Sequence, residues 1–136
     1  MTVSLVIVSH SAQLAKGVAE LAGQMAQGKV AIAVAGGTSE GTLGTSVEKI
    51  IHALNQVDGP DGTLVLLDLG SAVMATEMAI EAFAEGQHHH VLISSAPLVE
   101  GAVIAAVESS IGNNLQEVAE AAASAHTLPK VHTHNK

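Results

Sequence analysis

The sequence predicts an α/β fold, a doubly wound and mainly parallel four-stranded sheet flanked by helices, and three observations carry that prediction. Four short runs rich in Val, Ile and Leu are continuously apolar, as strands covered on both faces are. Longer segments of helical period separate them, so each strand leads into a crossover helix. Gly, Ser, Asn and Asp punctuate the joins.

The elements follow in the order βαβαβαβαα. The first strand is expected over residues 3–8; Leu14, Val18, Leu21 and Met25 mark the apolar stripe of the next helix, which Gly28 ends. The second strand, 30–34, leads through a Gly-rich loop to a helix carrying Val47, Ile50, Ile51, Leu54 and Val57, with Thr45 and Glu48 at capping-box spacing. The third strand, 63–69, precedes a helix bearing Met74, Met78 and Ala82, with Ser71 as its N-cap and Gly86 as its stop. The fourth, 90–94, is followed after Pro97 by a helix with Val99, Val103, Val107 and Ile111 that Gly112 ends. A last helix over 114–125 opens on the capping-box pair Asn114 and Glu117. Residues 1–125 thus read as one domain, and 126–136, which lack periodicity, as a flexible tail.

Composition narrows the chemistry. With no cysteine, disulfides and thiolate sites are excluded, leaving His, Ser, Thr, Asp and Glu as the reactive inventory. Five basic against thirteen acidic residues give a net charge of −8, the wrong sign for nucleic acid and a suitable one for a basic protein partner. Phe83 is the single residue of the Phe, Tyr and Trp class, so stacking platforms for bases or sugars are nearly absent. Charge, Gly or Ser breaks every long apolar run, and the first residues lack the pattern of a secretory leader; no membrane contact and a cytoplasmic location are expected.

In a parallel sheet the ligand crevice lies beyond the carboxyl ends of the strands. Four segments stand there: Ser9-His10-Ser11, Gly36-Gly37-Thr38-Ser39, Asp68-Leu69-Gly70-Ser71 and Ser95-Ala96-Pro97. Two glycines that admit close approach, together with helix N-termini near Ser11 and Ser71, make an anion site with phosphate as the natural anion. His10 has the attributes of a nucleophile. If Asp68 accepts a hydrogen bond from one ring nitrogen, the other keeps its lone pair for attack on phosphorus, which requires the first and third strands to be neighbours. Gly37, Thr38 and Ser71 are the candidate phosphate-binding residues, and positioning plus charge stabilisation needs no metal and no cofactor.

Other motifs are weaker. The stretch "GGTSEGTLGTS" lacks the lysine of a nucleotide-binding P-loop, "DLGSA" lacks the G-x-S-x-G elbow of a hydrolase, and no acidic cluster follows the first strand to support a phospho-aspartate at Asp68. His88, His89 and His90, and His132 with His134, read as an exposed edge and a tail rather than a metal site, and His52 as a helix-surface residue.

Taken together, "IVSHSAQLAKGVAEL", "AGGTSEGTLGTS", "LLDLGSAVMATEMAIE" and "APLVEGAVIAAV" resemble the phosphotransfer subunit of bacterial phosphoenolpyruvate-dependent dihydroxyacetone kinase, whose domain is similar to the mannose-type enzyme IIA of the sugar phosphotransferase system. The resemblance implies a homodimer and a phosphohistidine at His10, with Asp68 as the orienting carboxylate. It implies HPr as phosphoryl donor, and as acceptor ADP on the nucleotide-binding subunit of dihydroxyacetone kinase, an acceptor that leaves neither sugar nor free nucleotide to bind here. Two alternatives stand beside it: a IIA domain that passes phosphate to a IIB protein of a mannose-type sugar transporter, and a noncatalytic anion-binding regulatory module.

Overall fold

The computed structural model describes residues 2–86 and 88–131. Its elements are β1 (Ser4–Ser9), α1 (Ala12–Met25), β2 (Ile32–Gly36), α2 (Val47–Gln56), β3 (Thr63–Leu67), α3 (Ala72–Ala84), β4 (Val91–Ile93), α4 (Leu98–Ser110) and α5 (Leu115–Ala123), with a closing 3-10 turn at Ser124–Thr127. The strands form one four-stranded sheet in the order β2-β1-β3-β4, and each neighbouring pair is parallel. The predicted α/β class and element order therefore stand. β1 and β3 are neighbours, as the proposed pairing of His10 with Asp68 requires.

Alternation along the strands sorts the core into two layers. Val3, Leu5, Ile7, Leu64 and Leu66 pack against α1, α4 and α5, whereas Val6, Val8, Val65 and Leu67 pack against α2 and α3. The helices that follow β1 and β3 thus leave the sheet on opposite faces, opening a crevice between the carboxyl ends of those two strands.

The helices bury a different stripe from the one their large residues mark. In α1 the buried positions are Ala15, Val18 and Ala22, while Leu14, Leu21 and Met25 are exposed; in α3 they are Ala72, Thr76, Ala79 and Phe83, with Met74 and Met78 outside. Alanine on the inner face lets a helix lie close on the sheet, and the larger side chains then point outward. In α2 the expected stripe holds, with Ile50 and Leu54 buried. The small residues of α4, Ala102, Ala105 and Ala106, are likewise buried within the chain.

Element ends differ in informative ways. Ser46, not Thr45, caps α2 by accepting the Lys49 amide at 3.2 Å. Asn114 and Glu117 form the predicted capping box. α1 ends with Gln27 in the left-handed region (φ 58°) just before Gly28 (φ 72°), whose amide reaches back to the Gly23 carbonyl. The 3-10 turn spans the expected boundary between domain and tail, and Lys130 pairs with Glu100 on α4. His132 and His134 lie outside the described residues.

Candidate functional site

Strand register builds the site. Val8 lies opposite Leu67, so Ser9 and His10 leave β1 beside Asp68, the first residue beyond β3. The carboxylate of Asp68 then organises the whole turn. Its Oδ1 lies 3.0 Å from His10 Nδ1, and its Oδ2 accepts both the His10 amide and the Ser9 hydroxyl at 2.9 Å. Ser9 Oγ also accepts the Ser11 amide at 3.0 Å, and Ser11 caps α1 by accepting the Leu14 amide at 3.1 Å.

Burial pushes the Asp68 carboxyl up, but the His10 amide, the His10 ring and the Ser9 hydroxyl outweigh it, so its pKa falls below the ordinary carboxylate value. Asp68 is therefore an ionised acceptor at neutral pH and accepts a hydrogen bond from the Nδ1–H of the imidazole. That leaves the Nε2 lone pair, which meets the Ser71 hydroxyl at 2.9 Å. The His10 side chain is 25% exposed and that of Asp68 11%, an accessible imidazole on a sheltered support.

Ser71 stands at the N-cap position of α3 but makes no cap hydrogen bond; its hydroxyl serves His10 instead. Just before it the Leu69 and Gly70 carbonyls accept the amides of Ala72 and Val73. The amides of Leu69, Gly70 and Ser71 have no backbone partner among the described residues. These donors and one hydroxyl can receive an anion next to Nε2.

Gly37 and Thr38, the other candidate phosphate contacts, are differently engaged. The Gly37 amide donates to the Ser9 carbonyl, the Thr38 amide to the Thr42 carbonyl, and the Thr38 and Thr42 hydroxyls lie 2.7 Å apart. The loop supports the histidine turn instead, since the Gly44 amide donates to the His10 carbonyl at 2.9 Å. Gly36 supports it too: a Cβ there would lie 2.7 Å from Ala12 Cα and 2.8 Å from the Ser11 carbonyl oxygen, so only glycine lets α1 begin so close to β2.

Two contributors escaped sequence reading. Ser9 is fully buried and joins Asp68 to the α1 N-terminus, its one sequence signal being a polar residue closing an apolar run. Lys49, a helix residue by pattern, sends its ammonium to the Gly36 carbonyl at 3.0 Å. His88 and His89 both turn Nδ1 toward Asp58, at 2.8 and 3.2 Å. Among the described residues no cluster of three or more His, Asp or Glu is placed to hold a metal.

Comparison with known proteins decides the family. The model of the "PTS system fructose IIA component" matches residues 4–119. The chain belongs to that family. A phosphoryl donor subunit of PEP-dependent dihydroxyacetone kinase from Escherichia coli is 40% identical over 85% of this chain, which spans 25% of that relative's length. A like-named Listeria innocua protein is 32% identical, with 91% of this chain matching 99% of its length. The phosphotransferase subunit of the Lactococcus lactis kinase is 31% identical over 88% of this chain and 93% of its own. The chain is thus about a quarter of the enterobacterial relative and nearly the full length of the other two.

Solved structures agree on the family's fold. A crystal structure of a protein of unknown function, 35% identical, superposes with a TM-score of 0.79 over 91% of this chain and 95% of that one. The mannose/sorbose-specific IIA subunit from Enterococcus faecalis, 17% identical, matches over 100% and 99% of the two chains with a TM-score of 0.53 and supports the fold alone.

Proposed function

We propose that this chain is a phosphohistidine carrier that takes a phosphoryl group from phospho-HPr and gives it to ADP on the nucleotide-binding subunit of a dihydroxyacetone kinase. One observation carries the reading: the Asp68–His10–Ser71 chain of hydrogen bonds holds Nδ1 as donor and turns Nε2 to an open rim. The names of the relatives that match nearly end to end supply the acceptor system.

In the first transfer the Nε2 lone pair attacks phosphorus, the nitrogen–phosphorus bond of the donor breaks, and the donor imidazole leaves with that electron pair. Nδ1 keeps its proton throughout. Asp68 offsets the positive charge that grows on the ring, while the Ser71 hydroxyl, released from Nε2, turns with the free amides of residues 69–71 to the phosphoryl oxygens. In the second transfer a terminal oxygen of ADP attacks the same phosphorus, and His10 returns neutral. Gly37 and Thr38 support the histidine turn in this reading, and direct phosphate contact through them requires the loop to exchange its internal hydrogen bonds. The transfer draws on no metal or cofactor held by this chain.

Intact mass spectrometry at neutral to alkaline pH tests this, after incubation with phosphoenolpyruvate, enzyme I and HPr. One phosphoryl adduct on the wild type and none on His10→Ala is the expected result; no adduct on folded protein removes the reading. The two alternatives separate at the acceptor. A IIA domain of a sugar transporter would pass its label to a IIB protein, and a noncatalytic anion-binding module would leave the downstream kinase equally active with His10→Ala.

A homodimer in the cytoplasm completes the proposal. The small residues of α4 are spent inside the chain, and the face assigned to a second copy is that of α3 and the β4 edge, with Met74 and Met78 exposed beside a three-residue strand. Among the described residues no helix is long and apolar enough to cross a membrane.

A further inference from the structure

At the outer edge of β2, next to the histidine turn, the charge of the molecule inverts. A cleft of about 420 Å³ is lined by Ala12 and Lys16 of α1, Val34 and Gly36 of β2, and Glu48, Lys49 and His52 of α2. Two of the five basic residues of a chain carrying −8 meet there. Neither lysine forms an ion pair with a carboxylate among the described residues, although Glu48 lines the same cleft. Lys49 is half-buried and fixed, its ammonium held at 3.0 Å by the Gly36 carbonyl, with its remaining donors unassigned. Lys16 and His52 are exposed on either side.

Repulsion between like charges costs least when an anion lies between them, and a lysine already anchored loses little freedom on binding one. The position adds meaning. Gly36 pairs with Ser9, the residue before His10, so a protein reaching Nε2 over the β2 side of the rim passes this cleft. A carrier must meet two partners at one nitrogen and tell them apart. The acidic surface as a whole favours a basic donor; the lysine cleft favours an acidic group on the other partner.

We propose that the Lys16–Lys49–His52 cleft is the docking point for a carboxylate-bearing segment of the acceptor protein, so that the two partners are sorted by opposite charge. The proposal rests on the phosphohistidine reading above.

The test uses the full chain with Lys16→Gln and His52→Gln, singly and together; both side chains are exposed, and neither holds the Gly36 carbonyl. Phosphotransfer is measured with the donor and with the ADP-loaded acceptor subunit from low to high salt. The double variant should raise the acceptor KM about 5- to 20-fold relative to the donor KM, leave kcat little changed, and flatten the salt dependence of the acceptor step. An unchanged ratio of the two KM values, or an equal rise in both, overturns the proposal. So does saturable inorganic phosphate binding, seen as NMR shifts at Lys16 and His52, with the acceptor KM unmoved, because the cleft would then be a small-anion site. Calorimetric titration of the unphosphorylated chain with the acceptor subunit keeps the two readings apart. Loss of binding in the double variant supports the docking point even if His10 takes no phosphate, and binding as tight as wild type refutes it.

Discussion

Asp68 concentrates three functions in one carboxylate: it sets the imidazole tautomer, holds the His10 amide and anchors Ser9. Asp68→Asn keeps the size but replaces an ionised acceptor by a neutral amide, so phosphorylation of His10 should slow by about 100-fold in a protein that still folds. A quench-flow measurement of phosphohistidine formation would expose an unchanged rate and so remove Asp68 from the mechanism. Ser9 is fully buried, and Ser9→Ala leaves Asp68 Oδ2 with one donor fewer and the Ser11 amide without its acceptor. A loss of about 1–3 kcal/mol in urea unfolding is expected, with Thr restoring most of it. If alanine proves neutral, Ser9 does not tie the turn together. Ser71→Ala should weaken the transfer without touching the fold, because its hydroxyl makes no helix cap.

Among the elements, α1 is placed by what it lacks. Gly36 has no Cβ and the inner face of the helix is largely alanine, so the segment after His10 lies against β2 and aims the turn at Asp68. Gly36→Ala would press a methyl group to 2.7 Å from Ala12 Cα, a backbone contact that no rotamer relieves. A destabilisation of about 1–3 kcal/mol is expected, together with slower phosphorylation, since α1 must move for the methyl group to fit. Wild-type stability and rate in that variant would mean that α1 does not depend on the close approach. At the far end of the chain, Asn114→Ala should cost about 1 kcal/mol through the lost capping box and leave the transfer rate alone.

Across the whole molecule, acid acts in one direction on Asp58, Asp68 and Glu100, whose partner is Lys130. Asp58 and Asp68 both have folded pKa values below the ordinary one. For Asp58 burial again opposes the shift, and hydrogen bonds from His88 and His89 prevail. A carboxyl whose pKa is lowered by folding adds stability that is complete above its unfolded value of about 4 and fades as pH falls through the folded value. Urea midpoints should therefore fall as the pH drops below about 4, and the double variant Asp58→Asn with Asp68→Asn should show a flatter profile there. An identical slope would place the acid sensitivity in other groups. Light scattering belongs to this scale as well: a monomer at working concentration would remove the proposed homodimer.

The sequence by itself determined the α/β class, the order of elements and the four strand ends, because apolar runs and helical periods are local properties of the chain. His10, Asp68 and Ser71 were legible as candidates for the same reason, each lying just past an apolar run or before a helix. What only tertiary structure decided was adjacency. No local pattern says that β1 lies between β2 and β3, and that order is what brings two residues 58 positions apart to a 3.0 Å contact. The buried helix faces were decided there too: Leu14, Met74 and Met78 have the apolar weight to be core, but close packing on the sheet favoured Ala15, Ala72 and Ala79. Ser9 and Lys49 stayed hidden because their roles lie wholly in partners that approach from other strands and helices, which spacing along one chain does not encode.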